Sequence, residues 1–283
     1  MDERPRIKLG LPCPERLVVE TPLRDNPFEA AIKARSAAVY ADFLLWHVHP
    51  DAAILDCGCG KGTIAIGLAE AVPAGRVVAV DLEEDGLADA RRHAVSIGLA
   101  NLTCIVGDGR RLPFHDGAFE AALCHSMLET LHDPASVVAE LRRVTKRGGV
   151  VGAAAVDYGG LILAGRNPAG PRRFYEIRQQ LWRVAGIAEP NMGRRLRGLF
   201  QDGEFGRVEA FADYISYGTP DRVVAFARDR AAECRDQDFR ADVIRYGIAS
   251  AEELTHLSAR WEEWGEDPGA FFAFAWCRVL AWP

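Results

Sequence analysis

The chain has 283 residues, of which 49% are hydrophobic and 26% charged, and its formal net charge at pH 7 is -6. This composition is typical of a globular protein with a sizeable core, and the negative charge argues against binding to a phosphate backbone. The sequence has neither a run of about 20 apolar residues that could span a bilayer nor an apolar signal segment behind Met-Asp-Glu-Arg-Pro. We therefore expect a cytoplasmic protein whose partners are neither nucleic acids nor membranes.

The first predicted element is an amphipathic helix over residues 28–48, preceded by an N-terminal arm at 1–26. Short apolar runs of strand length then alternate with helical segments. The predicted strands are 52–57, 76–80, 102–106, 119–124 and 149–156. The predicted helices between them are 62–72, 84–98 and 134–146. This alternation predicts a parallel, doubly wound sheet with helices on both faces.

The regular alternation ends after residue 156. The predicted elements of the second half are a Gly/Pro-rich stretch at 159–171, helices at 172–186 and 193–203, and strands at 207–217 and 270–282 with a long helical stretch between them. We therefore predict a core over 27–156, a lid insertion and helix over 157–206, and the final strands over 207–283. The last part contains a helical excursion over 218–268, and both excursions should lie over the same end of the sheet.

A glycine turn follows the first predicted strand. Asp56 is followed by glycines at 58, 60 and 62, and the turn opens a helix, so that bare backbone N–H groups face a ligand. The spacing differs from the dinucleotide fingerprint, and the carboxylate at the strand end suits a ligand that carries an ammonium group. The predicted ligand contacts in this turn are Asp56, Gly58, Cys59, Gly60, Gly62 and Thr63.

Two further carboxylates follow the second and third predicted strands. Asp81 is placed to accept both hydroxyls of a ribose, as in other folds that bind a nucleoside at the switch point of the sheet. Leu82 offers an apolar surface for one face of adenine. Asp108, beside Gly109, can accept a hydrogen bond from the adenine N6 amine.

Taken in order, these motifs resemble those of the class I S-adenosylmethionine (SAM)-dependent methyltransferases. The matching residues are Leu55-Asp56-x-Gly58-Cys59-Gly60-x-Gly62, Asp81, Gly107-Asp108 with Leu112-Pro113-Phe114, and Gly148-Gly149. The resemblance implies a Rossmann-like sheet of seven strands, mostly parallel with the last strand antiparallel, and helical lid insertions. It also implies SAM as cofactor and S-adenosylhomocysteine as product. The run Thr145-Lys146-Arg147-Gly148-Gly149 lacks the proline that is usual in the family.

The flanking segments resemble a branch of that superfamily near the quinone-biosynthesis and natural-product methyltransferases. The matching segments are Asp157-Tyr158-Gly159-Gly160, Met192-Gly193-Arg194-Arg195-Leu196, and Trp264-Gly265-Glu266-Asp267-Pro268 through to Trp276-Cys277. The resemblance therefore covers almost the whole chain, and it implies transfer of a methyl group to a small molecule.

The residues after strands four and five are expected to face the acceptor. His125 is the first candidate for a general base because imidazoles titrate near neutral pH, and Tyr175 is the second. An equally open interpretation is that His125 and Ser126 contact the methionine portion of the cofactor while the imidazole lines the wall. The predicted pocket aromatics are Tyr158, Phe174, Trp182 and Tyr214.

These aromatic side chains favour a small, flat acceptor, such as an indole-like heterocycle methylated at carbon or nitrogen. The alternatives are O- or C-methylation of a quinol or phenol, and a non-catalytic SAM-binding partner protein. A nicotinamide-dependent oxidoreductase fits the sheet but not the glycine spacing. We consider a homodimer as the assembly of the chain.

No metal is expected in the glycine turn. The seven cysteines lie mostly in apolar runs and are interpreted as reduced, buried thiols. Cys57 and Cys59 have no second Cys or His pair at zinc spacing.

Overall fold

The computed structural model describes residues 36–186 and 188–283, which fold around one seven-stranded sheet. The strands are β1 (Ala53–Cys57), β2 (Arg76–Asp81), β3 (Leu102–Val106), β4 (Phe119–His125), β5 (Thr145–Ala164), β6 (Arg207–Tyr217) and β7 (Phe271–Trp282). They lie in the order β3-β2-β1-β4-β5-β7-β6.

The direction of the strands confirms the predicted fold class. Neighbours among β1 to β5 pair in parallel, whereas β7 runs antiparallel to both β5 and β6. The chain winds from β1 through β2 to β3 and then crosses to β4 on the other side of β1. Open α/β sheets bind ligands at such a switch point, beyond the carboxyl ends of the strands.

The helices pack on the two faces of the sheet and against the outer parts of its longest strands. They are α1 (Ala37–Tyr40), α2 (Asp42–Leu45), α3 (Thr63–Ala71), α4 (Glu84–Ser96), α5 (Pro134–Val144), α6 (Ala169–Val184), α7 (Met192–Asp202), α8 (Pro220–Arg235), α9 (Gln237–Arg245) and α10 (Ala251–Gly265), with a 3-10 turn at Leu128–Thr130.

The arm predicted at 1–26 and the first part of the helix predicted at 28–48 lie outside the described residues. Where that helix can be compared, it is two single turns, α1 and α2. They are separated at Ala41, whose backbone is not helical (φ -128°, ψ 7°).

Two apolar layers cover the two faces of the sheet. Alternate residues of β1 point to opposite faces, with Leu55 packing against α5 and α7 and Ile54 against α1 to α3. Both side chains are fully buried, and burying each contributes about 1.5–3 kcal/mol. Helix α7, at the end of the predicted 157–206 insertion, thus packs on the core sheet through Met192 and Phe200.

β5 is longer than predicted, because it continues through part of the stretch 159–171 that the sequence suggested was irregular. A bulge between Asp157 and Ile162 interrupts its pairing with β7, and the pairing resumes from Ile162 to Ala164. The antiparallel neighbour supplies hydrogen-bond partners that the local glycines do not reveal. Helix α5 also ends at Val144, two residues before the predicted end at 146.

A third apolar cluster forms the lid. It joins α6, α8, α9 and α10 to the outer parts of β5 and β7, with the fully buried Trp261 among its members. Trp264 of α10 donates a hydrogen bond from Nε1 to the carbonyl of Ala164 at 2.8 Å, which attaches the lid to β5. The helices of the two predicted excursions therefore pack against each other.

In the part of the chain that the structure describes, no helix has both the length and the apolar character needed to cross a membrane.

Candidate functional site

A cavity of about 310 Å³ lies at the carboxyl ends of β1 to β4. Its wall is formed by the segments that follow these strands and by the start of α3. The lining residues are Asp56, Gly58, Cys59, Gly60, Lys61, Thr63, Ile64, Val80, Asp81, Leu82, Glu83, Gly107, Gly109, His125, Ser126, Met127, Thr130 and Leu131. The structure thus brings together all of the predicted cofactor residues except Gly62 and Asp108.

The three glycines of the turn serve different needs. All have positive φ angles, 77° at Gly58, 53° at Gly60 and 70° at Gly62, which favour glycine. A Cβ atom on Gly58 would lie 2.4 Å from the Met127 sulfur, and one on Gly62 would lie 2.4 Å from Ala90 Cβ. A Cβ on Gly60 would meet no atom within 4 Å, so this glycine faces the open cavity. Gly62 belongs to the turn but does not line the cavity.

Asp56 is a buried carboxylate at the end of β1. The residue is 2% exposed, and none of the described residues forms a hydrogen bond with its Oδ2. Burial, and secondarily the charge of Asp81, raises the pKa of Asp56 to about 7. A buried carboxylate oxygen without a partner is costly, and an ammonium group in the cavity would compensate it. The site therefore fits the amino group of the cofactor that the sequence implies.

This perturbed carboxyl group leads to a prediction about cofactor binding and pH. If the ionised form of Asp56 holds the ammonium group, affinity should be full above pH 7 and lost as the pH falls below it. With a pKa of about 7, SAM affinity should decrease about tenfold from pH 8 to pH 6. Titration calorimetry at several pH values measures this change. Asp56→Asn should bind weakly and with little dependence on pH, and a pH dependence equal to that of the wild type would contradict the assignment.

Asp81 is held in a fixed orientation at the end of β2. Its Oδ2 accepts a hydrogen bond from the Gly60 backbone at 2.7 Å, and its Oδ1 accepts one from the Glu83 backbone at 3.0 Å. Each carboxylate oxygen can accept a further hydrogen bond, so the pair remains able to bind a diol. Leu82 is 58% exposed beside it and presents the apolar surface predicted for adenine.

The side chain of Asp108 does not line the cavity, although its neighbours Gly107 and Gly109 do. Its carboxylate forms a salt bridge with Arg110, with Oδ2 and Nη2 at 2.7 Å, and this ion pair lowers the pKa of Asp108. Arg110 lies two residues after Asp108 and competes locally for its carboxylate. In this orientation the carboxylate faces Arg110, and its contact with the adenine amine stays a prediction.

His125 ends β4 at the inner wall of the cavity. Its ring stacks on Trp276 with centroids 4.8 Å apart and contacts the edge of Tyr40 at 5.2 Å. The next residue, Ser126, has a positive φ of 53° and donates its backbone N–H to Ala154 at 2.9 Å. The strained turn thus fixes where the imidazole lies, and both predicted roles of His125 remain compatible with its position.

The second base candidate, Tyr175, lies in the lid core instead of the cavity wall. It is 3% exposed, and burial raises its pKa, which makes the phenolate harder to form. Phe174 is fully buried in the same core and packs on Trp261 at 5.7 Å between centroids. Helical spacing cannot distinguish a core-facing ring from a pocket-facing ring, and these two predictions are corrected accordingly.

The other predicted pocket aromatics lie outside the wall of the 310 Å³ cavity as well. Tyr158 and Trp182 contact each other, with centroids 5.0 Å apart, at the inner side of the lid. Tyr214 lies on β6 and is 49% exposed. Asp157, expected to face the acceptor, instead pairs with Arg194 at 2.7 Å and anchors α7.

Trp276 is a residue next to the site that the sequence did not single out as such, whereas Met127 is one of the residues after strand four that were expected to face the acceptor. Trp276 stacks on His125, and Met127 lines the cavity against Gly58. The alternation of aromatic residues along β7 was a usable signal for Trp276, because it placed this ring on one face of a strand beside β5.

Within residues 36–186 and 188–283, no group of three or more His, Cys, Asp or Glu side chains could hold a metal ion. Asp157, which follows the fifth predicted strand, accepts hydrogen bonds from the guanidinium group of Arg194 through both carboxylate oxygens. We predict that exhaustive EDTA treatment leaves methyl-transfer activity unchanged. Loss of activity that Mg²⁺ or Zn²⁺ restores would contradict this expectation.

Comparison with known proteins finds methyltransferases. A family model described as a methyltransferase domain matches residues 54–149. The chain is 28% identical over 257 residues to an uncharacterised methyltransferase of Schizosaccharomyces pombe, with 84% of this chain and 87% of that protein covered. It is 38% identical over 97 residues to the demethylmenaquinone methyltransferase of Geobacillus kaustophilus, with 34% and 42% covered. The similarity therefore spans less than half the length of this second relative.

The fold also has solved counterparts. A methyltransferase candidate from Bacillus halodurans C-125 superposes with a TM-score of 0.55 at 19% identity, with 87% of this chain and 97% of that chain covered. At this identity the similarity concerns the fold.

Proposed function

We propose that this chain is a class I SAM-dependent methyltransferase that methylates a small aromatic acceptor at carbon or nitrogen. The observation that carries the proposal is the position of His125, which lines the cavity and whose ring stacks on the buried Trp276 behind it. A flat ring favours such aromatic surroundings, and the pair lies next to the backbone that follows β4.

Different residues of the chain would bind the cofactor and act on the acceptor. Asp56 and Asp81 would hold the amino and ribose groups of SAM, and Gly60 leaves room for its close approach. The cofactor, when bound, supplies an activated methyl group for an in-line displacement. His125 would remove a proton from the acceptor as the new bond forms, and the packing of its ring keeps it in place.

The quinol or phenol alternative is supported by the relative from Geobacillus kaustophilus, whose name describes a demethylmenaquinone methyltransferase. Its similarity covers 34% of this chain and 42% of that protein, so it is weak support for the class of acceptor. A non-catalytic SAM-binding role is the second alternative, because a fold does not by itself guarantee chemistry. The cytoplasmic location and a role in natural-product biosynthesis remain predictions from the sequence.

Incubation of the protein with methyl-labelled SAM and a panel of indoles, phenols, quinols and amines tests the proposal. We expect label in an aromatic heterocycle, at carbon or nitrogen. Transfer to quinols or phenols alone would favour the alternative acceptor class. Tight SAM binding without transfer to any member of a broad panel would favour the non-catalytic role, and transfer to aliphatic amines alone would overturn the heterocycle proposal.

A further inference from the structure

Two buried arginines meet inside the lid. Arg178 of α6 is 7% exposed, and the side chain of Arg230 of α8 is 11% exposed. Both contact the same carboxylate, with Arg178 Nε 3.3 Å from Glu233 Oε1 and Arg230 Nη1 2.8 Å from Glu233 Oε2. Buried arginines are uncommon, and those that occur need partners for their charge and their N–H groups.

Aromatic rings surround this trio. The guanidinium carbon of Arg178 lies 4.6 Å from the ring centroid of Trp182, and Trp182 contacts Tyr158. The guanidinium carbon of Arg230 lies 5.4 Å from the ring centroid of Phe226. Two tyrosines lie within range of these charges. Both arginines act electrostatically on Tyr175, and Arg230 acts on Tyr217.

Hydrogen-bond donors outnumber acceptors in this cluster. The Nε atom of Arg230 is buried and has no hydrogen-bond partner in the described chain, and that of Arg178 lies 3.3 Å from Glu233 Oε1 without the geometry of a hydrogen bond. A guanidinium group has five N–H donors and no acceptor, so Glu233 cannot satisfy both arginines. The cluster of Arg178, Arg230 and Glu233 is therefore suited to bind a group rich in acceptor oxygens.

The charges of the trio also leave an excess. Arg178 and Arg230 together with Glu233 carry a net charge of one positive unit in a region from which water is largely excluded. Asp229 lies beside Arg230 in sequence and its charge acts on that arginine, but it forms no ion pair within 4 Å among the described residues. Glu129 adds a more distant negative charge at Tyr158. An incoming anion would complete the pairing of the two arginines.

A continuous row of rings joins this cluster to the cavity. His125 stacks on Trp276, which lies 6.2 Å from Phe274, and Phe274 stacks with Tyr158 at 6.3 Å. Tyr158 then contacts Trp182, over which Arg178 lies. The arginines therefore stand at the lid end of an aromatic path that begins at the cavity wall.

We propose that Arg178 and Arg230 bind an anionic oxygen group, a carboxylate or a phosphate, carried by the aromatic acceptor. This inference rests on the proposed function, because it assigns one end of the acceptor whose reactive end meets His125. The planar fork of arginine matches both anions in bidentate geometry, and the contacting rings of Trp182 and Tyr158 supply an aromatic surface beside the arginines. Glu233 keeps the two guanidinium groups together when the ligand is absent.

Binding of three ring compounds to the full chain saturated with S-adenosylhomocysteine tests the inference. Benzoate and phenyl phosphate carry the two candidate anions, and benzamide is a neutral mimic of benzoate. Calorimetry and the tryptophan fluorescence of the chain report binding without turnover. We expect the better of the two anions to bind at least about tenfold more tightly than benzamide, the effect of one charge-assisted pair. The preferred anion identifies the group.

Two variants and a control locate the site. Arg178→Gln and Arg230→Gln should each remove most of the preference for the anion while leaving S-adenosylhomocysteine affinity unchanged, which also shows that the variant is folded. Arg245→Gln is the matched control, since Arg245 also lies over a ring, 5.5 Å from Tyr246, but at the surface. Its preference should equal that of the wild type.

Equal affinity for benzamide and both anions, or no saturable binding of either anion, overturns the inference. A preference that survives in both lid variants also overturns it. These outcomes are separable from the methyl-transfer test. A preference for anions in a chain that methylates nothing would support the anion site and contradict the proposed function. Transfer to uncharged rings alone would support the proposed function and contradict the anion site.

Discussion

Replacing His125 with alanine should lower kcat by about a hundredfold, the contribution of a well-positioned general base, with little change in SAM affinity. The imidazole lies at the cavity wall, where the packing of Trp276 and Tyr40 fixes its ring. Because a base held in this way is already oriented for proton transfer, its removal should act mainly on the chemical step. Single-turnover kinetics with labelled SAM, and calorimetry for affinity, measure the two quantities separately.

The variant His125→Phe distinguishes a base from a packing element. Phenylalanine keeps a ring against Trp276 but cannot accept a proton. If His125 is the base, both variants should lose turnover to a similar extent. If the ring only lines the wall, His125→Phe should retain turnover close to that of the wild type while His125→Ala loses it. The exposed His115 provides a control, since His115→Ala should change neither quantity.

Replacing Asp81 with alanine should raise the dissociation constant for SAM by about tenfold or more. Loss of a partner from a buried hydrogen-bonded pair costs about 1–3 kcal/mol. The variant removes the acceptor for the ribose and also the hydrogen bond from Gly60 that holds the turn. Calorimetry measures the affinity, and thermal unfolding shows whether the fold is kept.

Asp85→Ala is a suitable control for Asp81→Ala, because Asp85 is an exposed carboxylate in the first turn of α4. Its removal changes the charge of the chain equally without touching the cavity. An Asp81→Ala protein that is folded and binds SAM within twofold of the wild type would remove the ribose assignment. Weak binding in both variants would point to a general electrostatic effect.

The central sheet could be predicted from the sequence because its signals are local. The strands at 102–106 and 207–217 have the predicted bounds, and each is an apolar or alternating run that polar residues or turns delimit. The strand that exceeds its predicted length most is β5, since partners from β7 extend it past Gly159 and Gly160. Hydrogen bonds between segments distant in sequence leave no local pattern to read.

In the candidate site, too, the residues that local sequence positions were predictable, and those that tertiary packing positions were not. Gly60, Asp81 and Asp56 were predictable, because a strand end and a tight turn fix their position relative to each other. The prediction failed for Tyr175, because a helix with aromatic residues on its inner face can bury them in a lid core or expose them to a pocket. That choice depends on where α10 packs, which one sequence does not reveal.

The continuity of β5 and β7 constrains how the acceptor range of this protein can be redesigned. Both strands extend from the core into the lid, and their outer pairs, Ile162 with Ala273 and Ala164 with Phe271, belong to the lid end. A chimera that exchanged everything beyond residue 156 for the corresponding part of a relative would cut through paired strands. Exchange of the helical segment 219–270 alone would preserve the strand pairing, because it starts and ends in turns. Recombination for new acceptors should therefore place its junctions there.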